Sequence, residues 1–154
     1  MHSIHSHIDR SNLLYHLGLL TRRWRQLLDN EFQSAGLTDA TWRPLLHLYL
    51  LGDGIRQKEL AASVGIEGPS LVRLIDTLAA KGLIQRSEDV ADRRAKLLRL
   101  TPEGLVVVAR IRETVTSLEN LLLSPFSDSE ISRFGQFILS LESTVNDIRK
   151  RVKR

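Results

Sequence analysis

The 154-residue sequence predicts a mostly α-helical fold with one small β-hairpin: a winged helix-turn-helix between N- and C-terminal helices that form a dimerisation lobe. Three observations predict it. Within Glu67–Lys81, Leu71, Leu74, Ile75 and Leu78 fall at i, i+3, i+4 and i+7, while Ser70, Arg73 and Thr77 lie opposite them. Directly after this helix, Leu83–Arg86 and Lys96–Leu100 alternate as short strands around a charged tip, Ser87–Arg94. Long apolar stripes occupy both ends of the chain, more than a chain of this length readily hides within itself.

Taken in order, the chain opens on a polar lead-in, Met1–Asp9, containing His2, His5 and His7. This is either a metal-binding tract or a histidine-rich terminus; the spacing matches no fixed metal site, so no metal is expected. A first helix of some twenty residues starts near Ser11, capped by Asp9 or Ser11. Leu13, Leu17, Leu20, Trp24, Leu27 and Glu31 set its stripe, widened by Leu14, Leu28 and Phe32. Gly36 ends it. Thr38 caps a second helix, Asp39–Leu51, in which Pro44 implies either a kink or a later start. Gly52-Asp53-Gly54 is a turn, and Ile55 adds one β-pairing residue. Gln57–Val64 is the first helix of the helix-turn-helix, with Leu60, Ala61 and Val64 inward and Gly65 turning the chain. Pro69 suits a first helical turn and Gly82 stops the second helix of the pair.

Beyond the hairpin, Thr101 and Pro102 restart helix as cap and first residue, and Leu105, Val108, Ile111, Val115, Leu118 and Leu122 keep helical spacing to about Leu123. Pro125 breaks the chain. Ser127 with Glu130 forms a capping box ahead of a last helix bearing Ile131, Phe134, Phe137, Ile138, Leu141, Val145 and Ile148. The domain reading is one unit over 1–154, with residues 38–100 as the winged-helix lobe and residues 11–35 and 102–150 as dimerisation helices.

Composition agrees. Hydrophobic residues make up 42% and aromatics 5%, a leucine-rich balance that leans toward helix. The net charge is +4 and the pI about 9.8, with the excess clustered at Arg22-Arg23-Arg25, at Arg93-Arg94-Lys96-Arg99 and in Arg149–Arg154. Localised basic clusters point to a polyanionic partner, against the plainer reading of solubility charge on helix faces. The sequence has no cysteine, which excludes disulfides and thiolate metal sites. It lacks a long apolar run and an apolar signal core, so a cytoplasmic, nucleoid-associated protein with no membrane partner is expected.

The runs GIEGPSLVRLIDTLAAKGLI, ADRRAK and LTPEG, at this spacing, resemble the MarR family of bacterial regulators, and GIEGPSLVR is similar to its SlyA-like subgroup. The resemblance extends upstream through Leu37–Trp42 and Arg23–Arg25. It implies a homodimer held by the first and last two helices. It further implies that one wing arginine enters a minor groove while an aspartate–arginine pair stiffens the tip, within Asp92, Arg93 and Arg94. Regulators of this kind often take small aromatic acids as effectors.

The residues themselves nominate a double-stranded DNA surface. Arg73 is suited to guanine O6 and N7 or to a phosphate, against the alternative of an ion pair with Asp76 or Glu67. Pro69 and Ser70 stand at a helix N-terminus, Thr77 lies further along, and Gln57 and Lys58 open the preceding helix, where N–H groups and a lysine hold phosphate. A dimer would present two such surfaces to a pseudo-palindromic operator, with A·T-rich flanks favoured by the wing. Trp42 with Arg22 or Arg25 offers a stacking face and a carboxylate partner for an aromatic acid; the other reading places the tryptophan in the core and the arginines toward DNA or solvent. No cofactor is implied. The sequence contains no HExxH, GxSxG or phosphate-cradling glycine loop, so an enzyme is not expected. Two functions stand: a transcriptional regulator, most simply a repressor, and a winged-helix protein–protein adaptor without specific DNA binding.

Overall fold

The computed structural model describes residues 7–153, so His2 and His5 lie outside the described residues. Six helices and three strands follow in the order α1 (Leu13–Ser34), α2 (Asp39–Leu51), β1 (Ile55–Arg56), α3 (Gln57–Val64), α4 (Gly68–Ala80), β2 (Ile84–Glu88), β3 (Lys96–Leu100), α5 (Pro102–Leu123) and α6 (Asp128–Val152). They form two compact units, one ending at Val115 and the other beginning at Thr116.

The first unit holds the core. Leu45, Leu60, Leu71, Ile75, Leu98, Val108 and Ile111 are buried, drawn from α2, α3, α4, β3 and α5. Three of the four apolar positions expected on α4 are in this core and Leu74 is half-buried. The opposite face, with Ser70, Arg73 and Thr77, is exposed. Amphipathic spacing thus decides which way α4 turns. Gly65 and Gly82 both take positive φ, 75° and 72°, which lets the chain turn sharply after α3 and after α4.

The sheet is three-stranded and antiparallel, in the order β1-β3-β2. The hairpin strand β2 runs to Glu88 rather than stopping at Arg86, because the ladder continues through Ser87↔Leu97 and Glu88↔Lys96. Alternation weakens where polar residues occupy both faces, but backbone pairing does not need it. β1 contributes two residues, Ile55↔Leu98 and Arg56↔Leu97, where one was expected.

Two helix starts differ from expectation. The N-cap of α1 is Asn12, not Asp9 or Ser11; Asp9 instead closes the preceding turn, accepting from the Ser11 N–H and hydroxyl. α2 begins at Asp39 and carries Pro44 inside it, so the later start is not taken. Proline removes one N–H near the N-terminal end of the helix, and burial of Pro44 and Leu45 in the core offsets that loss. Thr38 does occupy the cap position, though its hydroxyl meets that of Thr41 at 3.2 Å instead of a backbone N–H. Polar side chains fasten α2: Arg43 Nη2 donates to the Val64 carbonyl ending α3 at 3.0 Å, and His47 Nδ1 lies 2.7 Å from Ser63 Oγ. Arg112 donates to the Tyr49 hydroxyl and covers its ring at 4.6 Å.

In the second unit, α6 opens on the expected capping box: Ser127 Oγ accepts from the Glu130 N–H, and the Glu130 carboxylate accepts from the Ser127 N–H. No residue of α6 is buried, and Phe134, Phe137, Val145 and Ile148 are each about half exposed.

Candidate nucleic-acid interface

Three elements of the first unit carry the nominated residues. The start of α3 supplies Gln57 and Lys58, the outer face of α4 supplies Pro69, Ser70, Arg73 and Thr77, and the tip between β2 and β3 supplies Asp92, Arg93 and Arg94. All but the half-buried Gln57 are exposed.

Arg73 makes no ion pair among the described residues. Asp76, its nearest expected partner, is bonded instead to Arg86 of β2, which ties α4 to the hairpin. The guanidinium of Arg73 therefore stays on the outer face, as a DNA-reading arginine requires. Thr77 is less open chemically, since its hydroxyl donates to the Arg73 carbonyl at 3.0 Å.

The tip is ordered by its own carboxylates. Asp92 Oδ1 accepts from the Arg94 backbone N–H at 3.0 Å, so this aspartate holds the tip through the main chain and not through an arginine side chain. Asp89 is the stronger organiser and was not singled out by the sequence. Its Oδ1 accepts from the Ala91 N–H at 2.9 Å, its own N–H donates to the Ala95 carbonyl, and its Oδ2 takes Arg56 Nη2 at 2.8 Å. The Ala91 N–H first, and then the Arg56 guanidinium, hold the Asp89 carboxyl below its ordinary range, while Asp89 raises Arg56. An aspartate two residues before an N–H it can accept from is a sequence signal for such a turn; nothing local in the sequence points to Arg56.

Gln57, Lys58, Asp92 and Arg94 come together around one open cleft of about 480 Å³, completed by Arg56, Ala95 and Lys96. With Arg56 paired to Asp89, Lys58, Arg94 and Lys96 stand against Asp92 and make it an anion-favouring surface beside the N-terminus of α3. Arg93 lies outside this lining, as do Pro69, Ser70, Arg73 and Thr77 on α4.

Of the two readings of the second nominated site, Trp42 takes the one that places it in the core. Trp42 is 3% exposed, stacks on Phe32 with ring centroids 4.9 Å apart, and donates its indole N–H to Asp29 Oδ1 at 2.8 Å. Both the face and the polar edge of the indole are occupied within the core, whereas Arg22 and Arg25 are exposed on α1. Among the described residues no group of histidine and carboxylate side chains is placed to hold a metal ion, and no helix is long and apolar enough to cross a membrane.

The MarR family profile matches residues 35–95, which span α2, α3, α4 and most of the wing. The structure described as transcriptional regulator PA3341 is 38% identical, with a TM-score of 0.80 over 86% of this chain and 97% of that one. This chain belongs to the MarR family. A crystal structure of MarR itself is 28% identical, with a TM-score of 0.74 over 95% of this chain and 99% of that one. The S. aureus MepR–DNA complex, 24% identical, shares the fold with a TM-score of 0.71 over 90% of this chain and 99% of that one. In this MarR-family chain the expected mostly helical winged-helix fold is present, with its hairpin extended by β1 into a three-stranded sheet.

Proposed function

We propose that this chain is a sequence-specific double-stranded DNA-binding transcriptional regulator that acts as a homodimer on a pseudo-palindromic operator, as a repressor that occupies a promoter. The observation that carries this reading is Arg73 on the outer face of α4, without an ion pair among the described residues, in a domain whose neighbouring wing ends in Arg93 and Arg94. Arg73 reads a base edge in the major groove, and Pro69 and Ser70 bring the first turn of α4 to a phosphate. Thr77 adds a weaker contact. The wing arginines enter an adjacent minor groove, which favours A·T-rich flanks where negative potential is concentrated. Gln57 and Lys58 hold a phosphate at the start of α3.

Dimerisation is supported by α6, whose phenylalanine and aliphatic stripe is about half exposed. In this reading residues 11–35 and 102–150 supply the dimer lobe, residues 38–100 read DNA, and the protein works in the cytoplasm on the nucleoid. A small aromatic carboxylate relieves repression by favouring a dimer with wrongly spaced reading helices. Its carboxylate pairs with Arg22 or Arg25, without Trp42, which is committed to Asp29 and Phe32.

The test is a mobility-shift titration with duplexes selected from a random library, repeated across salt concentrations. One selected duplex should bind at least about a thousandfold tighter than bulk DNA, with affinity falling steeply as salt rises. Equal, weak binding to every duplex would remove the regulator reading and leave the adaptor.

A further inference from the structure

We infer that Arg56 and Asp89 form a latch that sets how far the wing stands from the start of α3, and thereby tunes the preference for sequence flanking the operator core. This inference rests on the DNA-binding reading above. Arg56 is the last residue of β1 and immediately precedes α3, so its backbone position defines where that helix begins. Asp89 follows the last residue of β2 and begins the wing tip. Between them runs β3, and the ladder joining β1 to β3 is two residues long, against five for β2 with β3. Beyond Leu97 the hairpin therefore has no strand support from the β1 side.

The bond between Arg56 Nη2 and Asp89 Oδ2, at 2.8 Å, is a second point of attachment past that limit. Both ends are held. The Arg56 N–H donates to Glu59 Oε2 at 2.7 Å, and Asp89 is fixed by the Ala91 N–H and the Ala95 carbonyl. The Asp89 side chain is 15% exposed and that of Arg56 36%, so this pair is screened less than a fully solvated one. Other carboxylates nearby are engaged elsewhere: Glu59 on the Arg56 backbone, and Asp92 on the Arg94 N–H. Arg56 also lines the cleft that Lys58 and Arg94 share. Breaking the pair lets the tip swing about the short ladder, widening the spacing between the α3 phosphate contact and the minor-groove arginine. Because Asp76 ties α4 to Arg86 at the base of the hairpin, opposite Leu98 where β1 still pairs with β3, recognition of the core sequence does not depend on the latch.

Arg56→Gln, Asp89→Asn and the double variant test this, with Arg56→Lys as the charge-preserving control. Asparagine keeps an oxygen for the Ala91 N–H, so the turn survives while the charge is lost. Each protein is titrated against the selected core flanked by A·T or by G·C pairs, and its thermal midpoint is measured. Asp89→Asn, outside the cleft lining, should lose about three- to tenfold of the flank preference while keeping core discrimination and thermal midpoint; Arg56→Gln, whose side chain also lines the cleft, should lose the same preference together with some affinity for every duplex. The double variant should be no worse than the singles, and Arg56→Lys should retain most of the preference. Unchanged flank preference in both singles, or additive losses in the double, overturns the latch while leaving the DNA-binding reading intact. A wild-type protein that selects no duplex overturns both.

Discussion

Gly104, in the first turn of α5, lies so close to the carbonyl of Leu83 that a Cβ on it would collide with that oxygen and with the Leu83 carbonyl carbon. The same carbonyl accepts from the Thr101 N–H at 3.1 Å, while the Thr101 hydroxyl bonds the Gly82 carbonyl and receives the Gly104 N–H. The turn after α4 and the start of α5 are one hydrogen-bonded junction, and the glycine is what allows it to close. Gly104→Ala should therefore destabilise the first unit by about 1–3 kcal/mol, because backbone and not a flexible side chain must yield. Urea denaturation followed by circular dichroism measures this; an unchanged midpoint would mean that α5 docks with slack.

Trp42→Phe keeps the ring packing on Phe32 and removes the donor to Asp29. The expected cost is about 1–2 kcal/mol, since one hydrogen bond to a carboxylate is lost and a small void opens. Combining it with Asp29→Ala should add little, because both changes remove one interaction. A full additive loss would show that the indole nitrogen matters for something other than Asp29.

His47 gives a pH signature. Burial first, and then the nearby Arg43 guanidinium, lower its pKa from the ordinary 6.5. The folded protein thus takes up the proton less readily than the unfolded chain. Stability is unaffected above pH 6.5, falls as pH drops below 6.5, and levels off once the pH is below the folded-state value. His47→Gln should abolish this part of the slope while keeping a polar partner for Ser63. Denaturation midpoints of both proteins on either side of pH 6.5 decide it; parallel slopes would count against His47 as the source.

Arg73→Ala should weaken binding to the selected operator by about 1–3 kcal/mol and relax specificity at one base position. Arg93→Ala and Arg94→Ala should weaken binding and alter the preference between A·T and G·C flanks, with core discrimination kept. Competition titrations against single-base operator variants separate the two patterns. Uniform loss across all sequences in Arg73→Ala would reassign that residue to a phosphate.

Much of this was legible from local chemistry. The four-residue spacing on α4, Gly65 and Gly82 at their turns, the Ser127–Glu130 box and the limits of α3 each depend on a few neighbouring residues, and each is found where its spacing puts it. Alternatives stay open in the sequence where distant partners compete. Pro44 stays inside α2 because the surrounding core wants it there. Trp42 reads as a pocket residue until Asp29 and Phe32, brought beside it by α1, claim its edge and its face. The wing is organised by Asp89 rather than Asp92 alone, since its partner Arg56 lies thirty-three positions earlier in the chain.

Sequence alone determined the helical order, the outward face of α4 and the basic character of the wing, because periodicity, turn residues and charge act over a few positions. Only the tertiary structure decided which carboxylate each arginine meets: Asp76 goes to Arg86 and Asp89 to Arg56, leaving Arg73 on the open face of α4. Ion pairing is settled by distance in space, and sheet register and helix docking bring those groups within reach.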